Sequence, residues 1–257
     1  MNFLNTLIEQ KLLEISIQSV KQPIEEIKQI KRELPIIDFN ESFKSQKNKI
    51  ITDIKQKLIS KDLDKDRKLV LDIIHEYEKN GVNALSILTD KKFFDGSLNF
   101  LKFIKKNTKI PILQKDFIIS EYQIFQAFIN GADGIILIAE ALDYYQLKDF
   151  YQIAKDLNIE IFFEIHEVDS IDKVNKLNPN FMVVSSRNLN NMTVNIQDFI
   201  KFKSLISEGK IVFVEGGIKS DDDYKFIKKL NYNGVFLGAN LMLQDSPGKI
   251  IKGYFKQ

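Results

Sequence analysis

Cysteine is absent from all 257 residues, which removes disulfides, thiolate nucleophiles and cysteine-held zinc or iron–sulfur centres whatever the fold. Only two histidines are present, so a histidine-built metal site is not expected either. Charge of one sign is equally scarce. The 37 Lys plus Arg face 35 Asp plus Glu for a formal net charge of +2. The basic residues are scattered among acidic ones, which argues against nucleic acid or a membrane surface as a partner. No long apolar run opens the chain, because Glu9 and Glu14 interrupt Met1 to Val20, as neither a signal peptide nor a membrane span would allow. A cytoplasmic protein whose chemistry runs on groups other than thiols is the expectation.

What the chain does have is apolar mass. Hydrophobic residues make up 44% of it, enough for a full core at a length close to that of one α/β barrel. No linker or low-complexity stretch divides it, so a single domain over residues 1–257 is expected, with a helical extension over 1–48 and a barrel over 49–257. Leu4, Leu7, Ile8, Leu12, Leu13 and Ile15 recur near helical spacing, and Pro23 and Pro35 bracket a second short helix around Ile24 to Leu34. From residue 49 onward, short runs rich in Ile, Val and Phe alternate with longer amphipathic stretches that carry Lys and Asp on one face. Strands are expected near Ile50–Ile54, Ala84–Leu88, Ile110–Leu113, Gly134–Ile138, Glu160–Glu164, Phe181–Val184, Ile211–Val214 and Gly234–Leu237. Eight such βα units predict a closed (β/α)8 TIM barrel. Its strands are buried on both faces, which explains why Ile135 to Ile138 and Ile211 to Val214 run apolar without alternating. An open doubly wound sheet is the competitor, but no strand is followed by a dinucleotide-type glycine fingerprint.

In such a barrel the reacting groups project from strand C-termini and the loops beyond them. The polar residues found there are Asp53 and Lys55 after the first strand and Lys115 and Asp116 after the third. Glu164 follows the fifth strand, Ser185, Ser186 and Arg187 the sixth, and Glu215 the seventh. A lysine near a carboxylate stays protonated as an acid or clamp, while a partly desolvated glutamate acts as base. Each charge taken singly is more often part of a structural ion pair, whereas several on different strands of one rim indicate a site. Glycines add a second clue: Glu215-Gly216-Gly217 follows strand seven, and Leu237-Gly238-Ala239-Asn240 follows strand eight with apolar Leu241-Met242-Leu243 nearby. Small residues let backbone N–H groups approach an anion, and barrels hold phosphate at this place. Tight βα turns are the plainer account of the same glycines.

Leu85 to Leu98, Pro111 to Ile119, Tyr122-Gln123-Ile124 and Gly131 to Ala139 together resemble, in order and spacing, the indole-3-glycerol-phosphate synthase family. The likeness continues through Glu164-Ile165-His166, Ser186-Arg187-Asn188-Leu189, Glu215 to Lys219 and Gly238 to Met242, and weakly covers the N-terminal helices. Members of that family close the ring of 1-(2-carboxyphenylamino)-1-deoxyribulose 5-phosphate to give indole-3-glycerol phosphate, losing carbon dioxide and water without metal or organic cofactor. The resemblance implies Lys115 as the principal general acid and Lys55 as the holder of the anthranilate carboxylate. It implies Glu164 as the base and Glu215 as electrostatic support, with Asp53 also in the catalytic set. Arg187, Ser185, Ser186, Phe117 and Gly216 would meet the anthranilate part, and Gly217, Gly238 and Ala239 the phosphate. A small phosphorylated substrate and a monomer are implied as well.

The chain departs from the family pattern at identifiable positions. Where the family reads Glu-x-Lys and then Ser-Pro-Ser, this chain has Asp53-Ile54-Lys55-Gln56-Lys57-Leu58-Ile59-Ser60, so the carboxylate is one methylene shorter and a phosphate-binding serine is replaced by Leu58. Ser185 stands for Asn, Gly216 for Ser and Gln114 for Arg. Displacement near 1 Å in a preorganised site costs on the order of a hundredfold in rate, so reduced activity is one expectation. A second reading is a phospho-ligand-binding barrel that has lost efficient turnover. A third, phosphoribosylanthranilate isomerase, relies in its usual form on a cysteine base, which this chain lacks.

Overall fold

A parallel sheet closes on itself when its last strand can pair with its first. In the computed structural model, which describes residues 3–44, 49–59, 63–238, 241–242, 244 and 247–255, that closure is complete. The strands are β1 (Lys49–Ile54), β2 (Ala84–Leu88), β3 (Ile112–Lys115), β4 (Gly134–Ile138), β5 (Glu160–Ile165), β6 (Phe181–Ser185), β7 (Ile211–Glu215) and β8 (Gly234–Leu237). They lie in chain order around one barrel, with β8 paired back onto β1.

Three helices precede the barrel: α1 (Phe3–Lys21), α2 (Ile24–Gln29) and α3 (Phe39–Lys44). After β1 come α4 (Gln56–Ile59) and α5 (Leu63–Lys79), and after β2 come α6 (Lys91–Phe94) and α7 (Leu98–Lys105). Then α8 (Glu121–Asn130), α9 (Tyr144–Asp156), α10 (Ile171–Leu177), α11 (Asp198–Lys203), α12 (Asp221–Lys229) and α13 (Pro247–Phe255) follow β3 to β8 in turn. The TIM barrel with an N-terminal helical extension, expected from the apolar pattern, is therefore the fold. Side-chain oxygens of Asp90, Ser97, Ser120, Asp143 and Ser220 accept backbone N–H bonds at the starts of α6, α7, α8, α9 and α12, satisfying donors that a helix start leaves open.

Alternation of side chains across each strand divides the apolar residues into two cores. Ile51, Ala84, Leu113, Ile136, Phe162, Val183, Phe213 and Phe236 form the core inside the barrel. Their chain neighbours Ile50, Leu85, Ile112, Ile135, Ile161, Met182, Val212 and Val235 pack outward beneath the helices. At the lower end α3 acts as a plug. Its Phe39 ring stands edge-on 4.9 Å from Phe162, and its Phe43 ring lies 5.2 Å from Phe213. Burial of each phenyl contributes about 1.5–3 kcal/mol. Asn83, Asp133 and Asn233, each just before an even-numbered strand, accept through a side-chain oxygen the N–H of Ile50, Ile112 and Val212 near the start of the preceding strand.

The extension differs from its expected form. The second helix stops at Gln29 instead of running to Leu34, because Leu34 precedes a proline and is driven extended. Arg32 meanwhile spends its guanidinium on carbonyls of Leu34, Phe128, Gly131 and Ala132. The third strand also begins later than Ile110, at Ile112, because Pro111 has no N–H to give to a ladder.

Candidate active site

Counting two residues upward from each inward apolar residue gives the mouth of the barrel. Ile51 leads to Asp53, Ala84 to Ser86, Leu113 to Lys115, Phe162 to Glu164, Val183 to Ser185 and Phe213 to Glu215. The polar residues that seemed to sit after the strands are thus members of their last turns of pleat, held by the ladder. Backbone pairing fixes their heights: Ser185 is level with Glu215, and Leu88 with Lys115.

Lys115 occupies the centre. Its Nζ donates to both carboxylate oxygens of Glu215 at 2.7 Å, stands 3.8 Å from Glu164 Oε2 and lies 4.6 Å over the Phe236 ring. Asp53, buried, accepts from Ser86 Oγ at 2.8 Å. Burial disfavours the lysine's charge, yet Asp53, Glu164 and Glu215 outweigh it and hold the ammonium well above its ordinary value. One cation cannot satisfy three carboxylates equally, and their affinities for protons diverge. Burial and the neighbouring carboxylates push Glu215 up to about 7 despite Lys115, and burial raises Asp53 as well. Glu164 goes the other way: Lys115, His166 and Arg187 overcome its burial and bring it down to about 2. Titratable groups driven apart in this manner divide acid and base labour. Glu164 is the carboxylate kept ionised.

His166 was quoted in the family stretch without a role, and it is the functional residue that sequence reasoning missed. It lies two residues beyond Glu164, on the same side of the strand. Its Nε2 stands 2.9 Å from Glu164 Oε1, in charge contact without the alignment of a hydrogen bond, and its Nδ1 lies 2.8 Å from the Arg187 carbonyl. The signal that would have found it is parity: 162, 164 and 166 share a face.

One wall of the mouth is aromatic. Phe117 stacks on Phe94 at 6.4 Å and meets Phe93 edge-on at 6.4 Å, and Lys55 Nζ rests 5.2 Å over Phe94. Lys55, Phe117 and the buried Leu4, Ile138 and Leu189 thereby border the same opening. Arg187 is exposed on the loop after β6, its N–H 3.3 Å from Ser185 Oγ. That loop turns back through an Arg187–Val194 bridge and packs on the glycines after β7. Gly216 and Gly217 have φ of 90° and 76°, and a Cβ on Gly217 would lie 2.4 Å from Ile196. Beside them Ser186 Oγ is buried and has no hydrogen-bond partner among the described residues. Gly238 is exposed, and a Cβ there would meet nothing within 4 Å among the described residues. Ala239 lies outside the described residues.

Asp116 does not join the cluster. It points outward, where its oxygens take Lys11 Nζ at 2.9 Å, Thr89 Oγ1 at 2.6 Å and the Phe117 N–H at 2.8 Å. Lys11 also reaches Asp90 at 2.7 Å and Glu14 at 2.9 Å, so α1 is pinned to the residue next to Lys115. Gln114, also outward, donates to Thr89 and lines a crevice of about 210 Å³ beneath α1.

A half-buried lysine ringed by carboxylates of unequal proton affinity, at the C-terminal mouth of a (β/α)8 barrel, defines an acid–base enzyme of the barrel class. Two solved structures share the fold. Thiamine phosphate pyrophosphorylase from Pyrococcus furiosus aligns at a TM-score of 0.62 and 15% identity over 82% of this chain and 95% of its own. The 3-hexulose-6-phosphate synthase from Salmonella typhimurium aligns at 0.64 and 15% over 81% and 97%. Sequence relatives are nearer. An indole-3-glycerol phosphate synthase of Legionella pneumophila (strain Lens) is 32% identical over 98% of this chain and 97% of its own length. That of Campylobacter fetus is 38% identical over 80% and 81%. The family model described as indole-3-glycerol phosphate synthase matches residues 4–253, and the chain belongs to that family of decarboxylating lyases of tryptophan biosynthesis.

Proposed function

We propose that this protein closes the pyrrole ring of 1-(2-carboxyphenylamino)-1-deoxyribulose 5-phosphate, releasing carbon dioxide and water to form indole-3-glycerol phosphate. The observation that carries the reading is the placement of Lys115 between Glu215 at 2.7 Å and Glu164 at 3.8 Å. Lys115 protonates the substrate carbonyl as the ring carbon attacks it. The carboxylate leaves as carbon dioxide, and its bonding electrons stay with the ring. Glu164 then takes a proton while the hydroxyl departs as water with a proton from a lysine. No electrons are gained or lost overall, so the reaction calls for no redox partner. Lys55 holds the carboxylate of the anthranilate part over the Phe94 and Phe117 wall. Glu215 and Asp53 keep Lys115 charged and placed, while Arg187, Ser185, Ser186 and the space at Gly216 receive the rest of the ring system. Gly217, Gly238 and Ala239 offer backbone N–H groups to the phosphate.

The same reading makes the protein a cytoplasmic monomer acting on one small phosphorylated molecule. Among the described residues no helix is long and apolar enough to cross a membrane.

The test is direct, because the chain has no tryptophan and indole fluorescence arises from product alone. Purified protein with substrate should generate that signal. Lys115→Ala and Glu164→Gln should each lose it by a factor on the order of 10²–10⁴. Turnover that survives both substitutions refutes the roles. Substrate-induced thermal stabilisation with no turnover in the wild type would favour the binding-barrel reading instead.

A further inference from the structure

A backbone carbonyl can only accept a hydrogen bond, so the 2.8 Å contact between His166 Nδ1 and the Arg187 oxygen places a hydrogen on Nδ1. Nε2 then faces Glu164 Oε1 at 2.9 Å. If neither atom carried a proton, two lone pairs would meet in a buried space, so one of the two is protonated. Lys115, 3.8 Å from Glu164 Oε2, favours the ionised carboxylate and puts that proton on the imidazole. Glu140 supports the same outcome, because its Oε1 accepts the main-chain N–H groups of His166 and Glu167 and adds its negative charge to the imidazole's surroundings. Arg187 opposes it as the nearby cation, but it lies on an exposed loop.

We propose that His166 is the positioning residue for Glu164: as an imidazolium braced on the Arg187 carbonyl it clamps Oε1 and leaves Oε2 as the one basic atom turned to the mouth. Glu164 Oε2 is buried and has no hydrogen-bond partner among the described residues, the condition of an acceptor that waits for a substrate proton. The proposal rests on Glu164 being the base. Burial lowers the imidazole's proton affinity, but Glu164 and Glu140 more than restore it, raising His166 to about 9.

Two histidines make the experiment clean. His75 is exposed on α5, so His75→Gln protein labelled with ¹⁵N-histidine reports His166 alone. At pH 7 both ring nitrogens should carry protons, and Glu164→Gln should return the ring to ordinary imidazole titration. In the fluorescence assay His166→Gln should lower kcat roughly a hundredfold with KM nearly unchanged, and its acid limb should move to higher pH as Glu164 loses its cation. A singly protonated ring at pH 7, or a His166→Gln enzyme with unaltered kcat and pH profile, overturns the proposal. Full turnover by Glu164→Gln would instead overturn the base assignment beneath it. The nitrogen spectrum distinguishes that failure from a failure of the pairing.

Discussion

Asp133→Asn should be among the most damaging near-isosteric changes available to this protein, although Asp133 lies at the end of the barrel opposite the mouth. Its carboxylate is fully buried and accepts five interactions. Lys105 Nζ approaches both oxygens at 2.7 Å, Arg32 Nη2 approaches at 3.0 Å, and the Ile37 and Ile112 N–H groups lie at 2.9 and 2.8 Å. Both carboxylate oxygens face donors, so the amide nitrogen of asparagine must confront at least one of them, and two buried cations lose the full negative charge they share. Breaking a buried pair in this way costs about 3–5 kcal/mol. Unfolding entropy of about 2.1 cal/mol/K per residue gives roughly 0.54 kcal/mol/K for a chain this long, so Tm should fall by about 6–9 °C. Thermal unfolding followed by circular dichroism measures it, and kcat/KM at 25 °C should stay near wild type. Lys105→Met should be milder, since Arg32 still balances Asp133 and burial already pushes the Lys105 ammonium down. A Tm shift under about 2 °C for Asp133→Asn, or a larger one for Lys105→Met, would refute this account of the floor.

Stability should also depend on pH through His166. Its folded value of about 9 lies above the ordinary 6.5, so its contribution is complete below pH 6.5 and lost as pH rises to 9. Urea midpoints should decline across that window in the wild type and decline less in His166→Gln. Glu164, brought to about 2 from 4.5, contributes stability above pH 4.5 that acidification toward pH 2 removes, and Glu164→Gln should flatten that acid limb in the same titration. At the end proposed to hold the phosphate, Leu58 is 39% exposed on α4. Leu58→Ser restores a hydroxyl, and a hydrogen bond to a charged group is worth about 1.5–3 kcal/mol, so KM should drop at least roughly tenfold with kcat little altered.

The barrel was legible because continuous apolar runs of strand length recur eight times, as strands buried on both faces do, and no dinucleotide-type glycine fingerprint follows any of them to favour the open doubly wound sheet. The strand ends were less so. Lys115, Ser185 and Glu215 read as loop residues because polarity normally marks a strand's end, whereas a mouth selects polar side chains on the inward face of the final pleat. Lys55, Lys115, Glu164 and Glu215 were found as strand-end charges, but Asp116 was grouped with them although its odd step turns it toward Lys11. Residues 30–44 defeated local reading altogether. A six-residue helix such as α3 is not stable by itself, and Phe39 and Phe43 declare their purpose only against Phe162 and Phe213. His166 was overlooked because the parity that sets 162, 164 and 166 on one face was not followed past Glu164. Its partner is a backbone carbonyl 21 positions away in sequence.

The strict alternation of inward and outward residues has a genetic corollary. Deleting or inserting one codon inside β3 or β5 would rotate every residue beyond the change to the opposite face, sending Lys115 toward the helices and replacing Glu164 in the mouth by Ile165 or Phe163. The same lesion in the turn at Gly209, where added atoms meet nothing within 4 Å among the described residues, would leave the mouth intact. Length variation among descendants of this gene should therefore collect in connections such as that one and spare the last three codons of every strand.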